Sequence, residues 1–128
     1  MKRYYKTKKY YDQKTNTTYD SKSEFLFNEY LKTNYPYLKV QKQVPFELLK
    51  TFKDVEGRTI RGIKYIADFV ITDEYGDTCI IDIKPNSKSC IEQVFKIKWK
   101  LMKSTYKEYH YKVIAYDSKT KKFVELRV

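Results

Sequence analysis

Between Tyr65 and Lys84 the chain spells two short apolar runs, Tyr-Ile-Ala-Asp-Phe-Val-Ile and Cys-Ile-Ile-Asp-Ile-Lys, joined by a turn, with one aspartate inside each. Both runs alternate as strands do. The alternation predicts Ile66, Asp68 and Val70 on one face and Tyr65, Ala67, Phe69 and Ile71 on the other, with Asp82 and Lys84 set against Ile81 and Ile83. A three-residue loop of Glu74, Tyr75 and Gly76, with Gly76 left-handed, puts Asp68 directly opposite Asp82. Their Cβ atoms then lie about 5 Å apart. Two like charges so placed on a half-buried surface repel, and a divalent cation between them makes the pairing favourable. A metal site is therefore the expected use of this hairpin.

The flanking sequence supplies the rest of one sheet. Ser21 and Glu24 fit a capping box ahead of Phe25, Leu26, Tyr30 and Leu31, which predicts a helix running to about Asn34. Leu38 to about Phe52 reads as a first strand, at an edge or bulged because of Pro45. With the central hairpin this gives a three-stranded meander. After Pro85 and Asn86, Ser87 or Ser89 can cap a helix with Ile91, Val94, Phe95, Leu101 and Met102 on one stripe. Lys98 shares that stripe and must either snorkel out or meet something negative, for which the hairpin acids are the natural candidate. Tyr109–Tyr116 and Lys122–Val128 read as strands around a turn at Asp117-Ser118-Lys119. The expected class is α/β, in the form of an α+β mixed sheet of order αβββαβ with an extra C-terminal strand, the strand-helix-strand step being parallel.

Composition narrows the partner. In 128 residues, 27 Lys and Arg stand against 16 Asp and Glu, for a net charge of +11, so the expected partner is a polyanion. The length fits one domain. Residues 1–19 read as a basic arm, in which Lys2, Arg3, Lys6, Lys8 and Lys9 lie among tyrosines; residues 20–128 read as the domain proper. Such an arm either lies along phosphates and stacks on unpaired bases or is only a solvated terminus. Two cysteines without ligand spacing read as reduced thiols. No apolar run approaches a membrane span or a secretory signal, so no membrane partner and a cytoplasmic location are expected.

Hydrolysis of a phosphodiester requires a polarised phosphate, a nucleophilic water and positive charge at the transition state. Asp68, Asp82 and Lys84, with Glu24 on a helix beside the sheet, have the order and spacing of the PD-(D/E)xK nuclease superfamily, which the sequence resembles. More narrowly, Asp20–Glu24, Gln43, Tyr65–Phe69, Asp82–Lys84 and Lys96–Lys98 resemble small phage and prophage Holliday junction resolvase-like endonucleases, over roughly residues 18–115. The resemblance implies a restriction-endonuclease-like core. It also implies Mg²⁺, which Mn²⁺ can replace, on Asp68, Asp82 and the Ile83 carbonyl. Glu24 would hold a second metal or its water, Lys84 would orient the attacking water, and Gln43 and Lys98 would touch phosphate. Lys96, Lys100 and Lys103 extend the expected DNA-binding set. Two departures stand out: Ala67 replaces the superfamily's proline, and the Gln-x-x-x-Tyr element of its RecB-like branch is absent, since Ile97 follows Gln93 by four residues.

Each residue has a plainer reading. Glu24 serves a capping box, Lys98 a solvated face, and Gln43 an edge strand that needs no explanation. Asp82-Ile83-Lys84 alone is a weak motif, whereas Asp68, inside an apolar strand, requires a partner. The expected function is a Mg²⁺-dependent DNA endonuclease acting on branched DNA as a homodimer, because a symmetric cut needs two centres. A restriction-like or transposase-associated enzyme on linear duplex shares every catalytic residue. A non-catalytic DNA-binding module of the same fold is the reading from another class.

Overall fold

A computed structural model describes residues 8–87 and 91–128. Its elements run β1 (Tyr10–Asp12), β2 (Thr17–Tyr19), α1 (Lys22–Asn34), β3 (Lys39–Leu49), β4 (Phe52–Lys53), β5 (Thr59–Ile60), β6 (Ile63–Thr72), β7 (Thr78–Ile83), α2 (Gln93–Thr105), β8 (His110–Asp117) and β9 (Lys122–Leu126). β3, β6, β7, β8 and β9 form one mixed sheet in that spatial order. The pairings are antiparallel except that of β7 with β8, which is parallel across α2. The chain is thus α+β, with the expected meander and parallel crossover, and β3, which carries Pro45, is an edge strand.

The central turn takes the expected form. Asp73 N–H donates to the Asp77 carbonyl at 2.9 Å, Gly76 N–H donates back to the Asp73 carbonyl at 3.1 Å, and Gly76 holds a φ of +86°. That loop fixes the pairing of Phe69 with Ile81 and Thr72 with Thr78, so Asp68 and Asp82 are the next residues of the two strands at the end of the paired ladder.

Two cores sandwich the sheet. On one side Phe95, Trp99 and Met102 of α2, with Ile91 before it, pack on Tyr65, Ala67, Val70, Ile80 and Val113. On the other, Phe27 and Leu31 of α1 pack on Phe69, Ile71 and Ile81. Phe69 is wholly buried, and removing a side chain of that size from water contributes about 1.5–3 kcal/mol.

The expected face of Ile66, Asp68 and Val70 does not exist. Ile66 is 54% exposed, whereas Val70 packs with Tyr65 and Ala67, and Phe69 and Ile71 face α1. β3 changes phase at the same level: Val44, Phe46 and Leu48 pack toward α2, Leu38 and Val40 toward α1. The reversal falls at Gln43, whose φ is +51°, and at Asp68, which the register sets opposite it. One left-handed residue turns the side chains beyond it to the other face, and the paired strand follows.

Further differences concern the termini of elements. Within the basic arm, β1 and β2 pair as a hairpin and rest on α1 through Tyr10 and Tyr19, whose ring centroids lie 4.7 and 5.5 Å from that of Phe25. Lys8 and Lys9 are exposed just ahead of β1, and Lys2, Arg3 and Lys6 lie outside the described residues. α2 starts at Gln93 with Glu92 as its N-cap, so Ser87 does not cap it, and Ser89 lies outside the described residues. Its buried stripe is Phe95, Trp99 and Met102, while Val94 and Leu101 are 59% and 39% exposed. Among the described residues no helix is long and apolar enough to cross a membrane.

Candidate metal and phosphate site

A cavity of ≈ 500 Å³ opens where the phase reversal meets α1 and α2, and Glu24, Gln43, Asp68, Asp82, Lys84 and Lys98 all line it. Glu24 arrives on the first turn of α1. Ser21 caps that turn, its Oγ accepting from the Glu24 N–H at 3.2 Å. The Glu24 carboxylate reaches across the cavity and accepts from Gln43 Nε2 at 3.0 Å. The same amide lies 3.3 Å from Asp68 Oδ1. Gln43 therefore bridges two carboxylates, and its left-handed backbone aims it there.

The aspartates are held differently. Asp68 Oδ2 accepts from the Ile83 N–H at 2.8 Å, so one residue of β7 locks an acid of β6. Asp82 is 4% exposed, and its Oδ2 accepts from the Tyr65 hydroxyl at 2.6 Å. Lys84 Nζ lies 3.2 Å from Asp82 Oδ1, an ion-pair distance without hydrogen-bond alignment, and sits 4.0 Å from the centroid of the Phe95 ring. Among the described residues, Asp82 Oδ1 is the one buried side-chain oxygen or nitrogen lacking a hydrogen-bond partner.

These acids hold their protons unusually well. Burial, then the charges of Asp82 and Glu24, push Asp68 up to about 8. Glu24 is pushed up to about 7 by burial and by Asp20. Burial also raises Asp82, against the pull of Lys84 and the Tyr65 hydrogen bond. Carboxylates so strained by desolvation and mutual repulsion are relieved by a cation, and an all-oxygen donor set suits a hard one such as Mg²⁺ or Mn²⁺.

Residues 1–124 match the family described as "Protein of unknown function (DUF1064)". The chain belongs to that family. No curated protein matches it. The solved structure described as "Crystal structure of SSO0001" is similar to this DUF1064 chain, with 17% identity and a TM-score of 0.48, over 81% of this chain and 48% of its own. The DUF1064 chain thus spans about half the length of that protein.

The fold brings Glu24, Gln43, Asp68, Asp82, Lys84 and Lys98 of the DUF1064 chain together. It separates Lys96, Lys100 and Lys103, which line a different groove beside Val128. Gln43 is engaged by the acids rather than free for a phosphate. Ile83 meets the site through its N–H. Two residues escape the sequence reading. Asp20 places a carboxylate oxygen within 4.8 Å of those of Glu24 and Asp68, and Tyr65 fixes Asp82. Asp20 carries a signal, lying four residues before Glu24 and hence near the same helix start. Tyr65 carries none until the strand pairing is known.

Proposed function

We propose that the chain is a Mg²⁺-dependent endonuclease of PD-(D/E)xK type that hydrolyses phosphodiester bonds in DNA. The observation that carries this reading is the convergence of Glu24, Asp68 and Asp82 on one cavity with Lys84, whose ammonium lies 3.2 Å from Asp82 Oδ1. The order α1, β3, β6, β7, α2, β8, with β9 added, supports a restriction-endonuclease-like core.

Asp68, Asp82 and Glu24 would hold the metal, with Asp20 within reach of the last. When bound, Mg²⁺ polarises a phosphate oxygen and lowers the pKa of a water. The chain's own residues supply the remainder. Lys84, braced on Phe95 and beside Asp82, presents its ammonium to the attacking water and to the charge gathering on phosphorus. Tyr65 keeps Asp82 oriented, and the Gln43 amide donates to both Glu24 and Asp68. Lys98, on the rim, binds a neighbouring phosphate. Water adds to phosphorus and one P–O ester bond breaks, leaving a phosphate monoester and a hydroxyl.

The substrate we favour is branched DNA, cut by a homodimer, because the described residues of one chain hold one such centre and paired cuts on two strands need two. Linear duplex is the competing substrate. Cleavage of a labelled four-way junction and a matched duplex, with Mg²⁺, with EDTA and with Asp82→Ala, tests the reading. Metal-dependent cutting that Asp82→Ala lowers at least a thousandfold is expected, as symmetric nicks on the junction. Tight binding without cutting by the wild-type chain would sink the nuclease and leave a binding module.

A further inference from the structure

The α2 helix has two apolar stripes, and only one is used by the core. Ile97 and Leu101 are 52% and 39% exposed and Val94 is 59% exposed, in an i, i+3, i+7 row on the side turned away from Phe95, Trp99 and Met102. At about 100° per residue, Lys98 falls on one flank of this row and Lys96, Lys100 and Lys103 on the other. The helix contains no Asp or Glu. A ridge of three apolar side chains with Lys98 on one flank and Lys96, Lys100 and Lys103 on the other is a poor seat for a second copy of itself, which would press lysine against lysine. An anionic partner with phosphate walls on both sides of a groove that offers methyl groups complements it.

We propose that the solvent face of α2 seats a DNA duplex arm, Val94, Ile97 and Leu101 entering the major groove and the lysines meeting the phosphate rows on its two sides. This rests on the reading of the adjoining cavity as a phosphodiester-cleaving site and names how its substrate is held. The major groove, about 12 Å wide, admits one helix, and the 13 residues of α2 extend about 20 Å along it. Val94 and Lys98 also line the acidic cavity, so the seated duplex runs directly past the centre. Apolar contacts to the groove floor read little beyond thymine methyl groups, so binding tolerates sequence and answers to helix geometry.

Fluorescence anisotropy of a labelled duplex, titrated with the full chain in EDTA over a range of salt, tests this. The pair Ile97→Gln and Leu101→Gln, which adds no charge at exposed positions, is expected to weaken binding about tenfold. Replacing Lys96, Lys100 and Lys103 with Gln is expected to reduce the slope of log affinity against log salt by about 2.7, at about 0.9 per lost phosphate contact. Wild-type affinity in the Gln pair overturns the proposal, and a changed oligomeric state of that pair in sedimentation equilibrium would assign the ridge to a second copy instead. A wild-type chain that binds as described but never cuts would fail the nuclease reading alone, and one that cuts while the Gln pair binds normally would fail the seat alone.

Discussion

Gln43 combines a φ of +51° with an amide that donates to Glu24 and Asp68, and two substitutions separate these properties. Gln43→Gly keeps the left-handed backbone and loses the donor, whereas Gln43→Ala loses the donor and strains the backbone as well. Urea unfolding should therefore find the alanine variant less stable than the glycine variant by about 1 kcal/mol. Cleavage should fall in both alike, because both lose the bridge between the acids. Equal stabilities would mean that the left-handed turn costs nothing here. At this scale the sequence announces the aspartates, since the loop through Gly76 dictates which residues face each other. It does not announce Gln43's role. A polar residue on an edge strand looks idle until its backbone is known to turn inward.

Among the elements, the β4–β5 and β6–β7 hairpin loops share one design. Asp54 and Asp73 each accept two backbone N–H bonds, and Gly57 and Gly76 follow three residues later at φ of +79° and +86°. The pattern Asp-x-x-Gly-x stands at Asp54–Arg58 as at Asp73–Asp77, but β4 and β5 have two residues each, too few to show a strand period. That small hairpin is tied to the sheet at Gly62, where an added Cβ would lie 2.2 Å from the Leu49 carbonyl oxygen and 2.9 Å from the Thr51 nitrogen. Backbone cannot step aside as a side chain can. Gly62→Ala should cost about 2 kcal/mol or more, read as a lowered denaturant midpoint, and a neutral result would show that β5 shifts freely. The phase of α2 was less legible. Val94, Ile97 and Leu101 compete with Phe95, Trp99 and Met102 for the inner face, and the larger aromatic pair takes it.

For the molecule as a whole, the acids of the site couple stability to pH. Asp68 rises from 3.8 to about 8 and Glu24 from 4.5 to about 7 on folding, so the folded chain retains protons that the unfolded chain releases. Their contribution is fully present below the unfolded values and is lost as pH rises through the folded ones. The metal-free chain should thus become less stable between about pH 4 and pH 8, with Mg²⁺ restoring more at pH 8 than at pH 5. Thermal melts across that range check it, and a flat profile would mean that the acids are already neutralised.

Glu24, Gln43, Asp68, Asp82 and Lys98 come from α1, β3, β6, β7 and α2, so nearly every major element contributes to one cavity. β7 is moreover flanked by β8, which is made after all of them. During synthesis the ribosome releases these pieces one by one. No fragment ending before α2 possesses the whole constellation, and a chain stalled midway through translation carries its acids without Lys98 and without the helix that covers that side of the sheet.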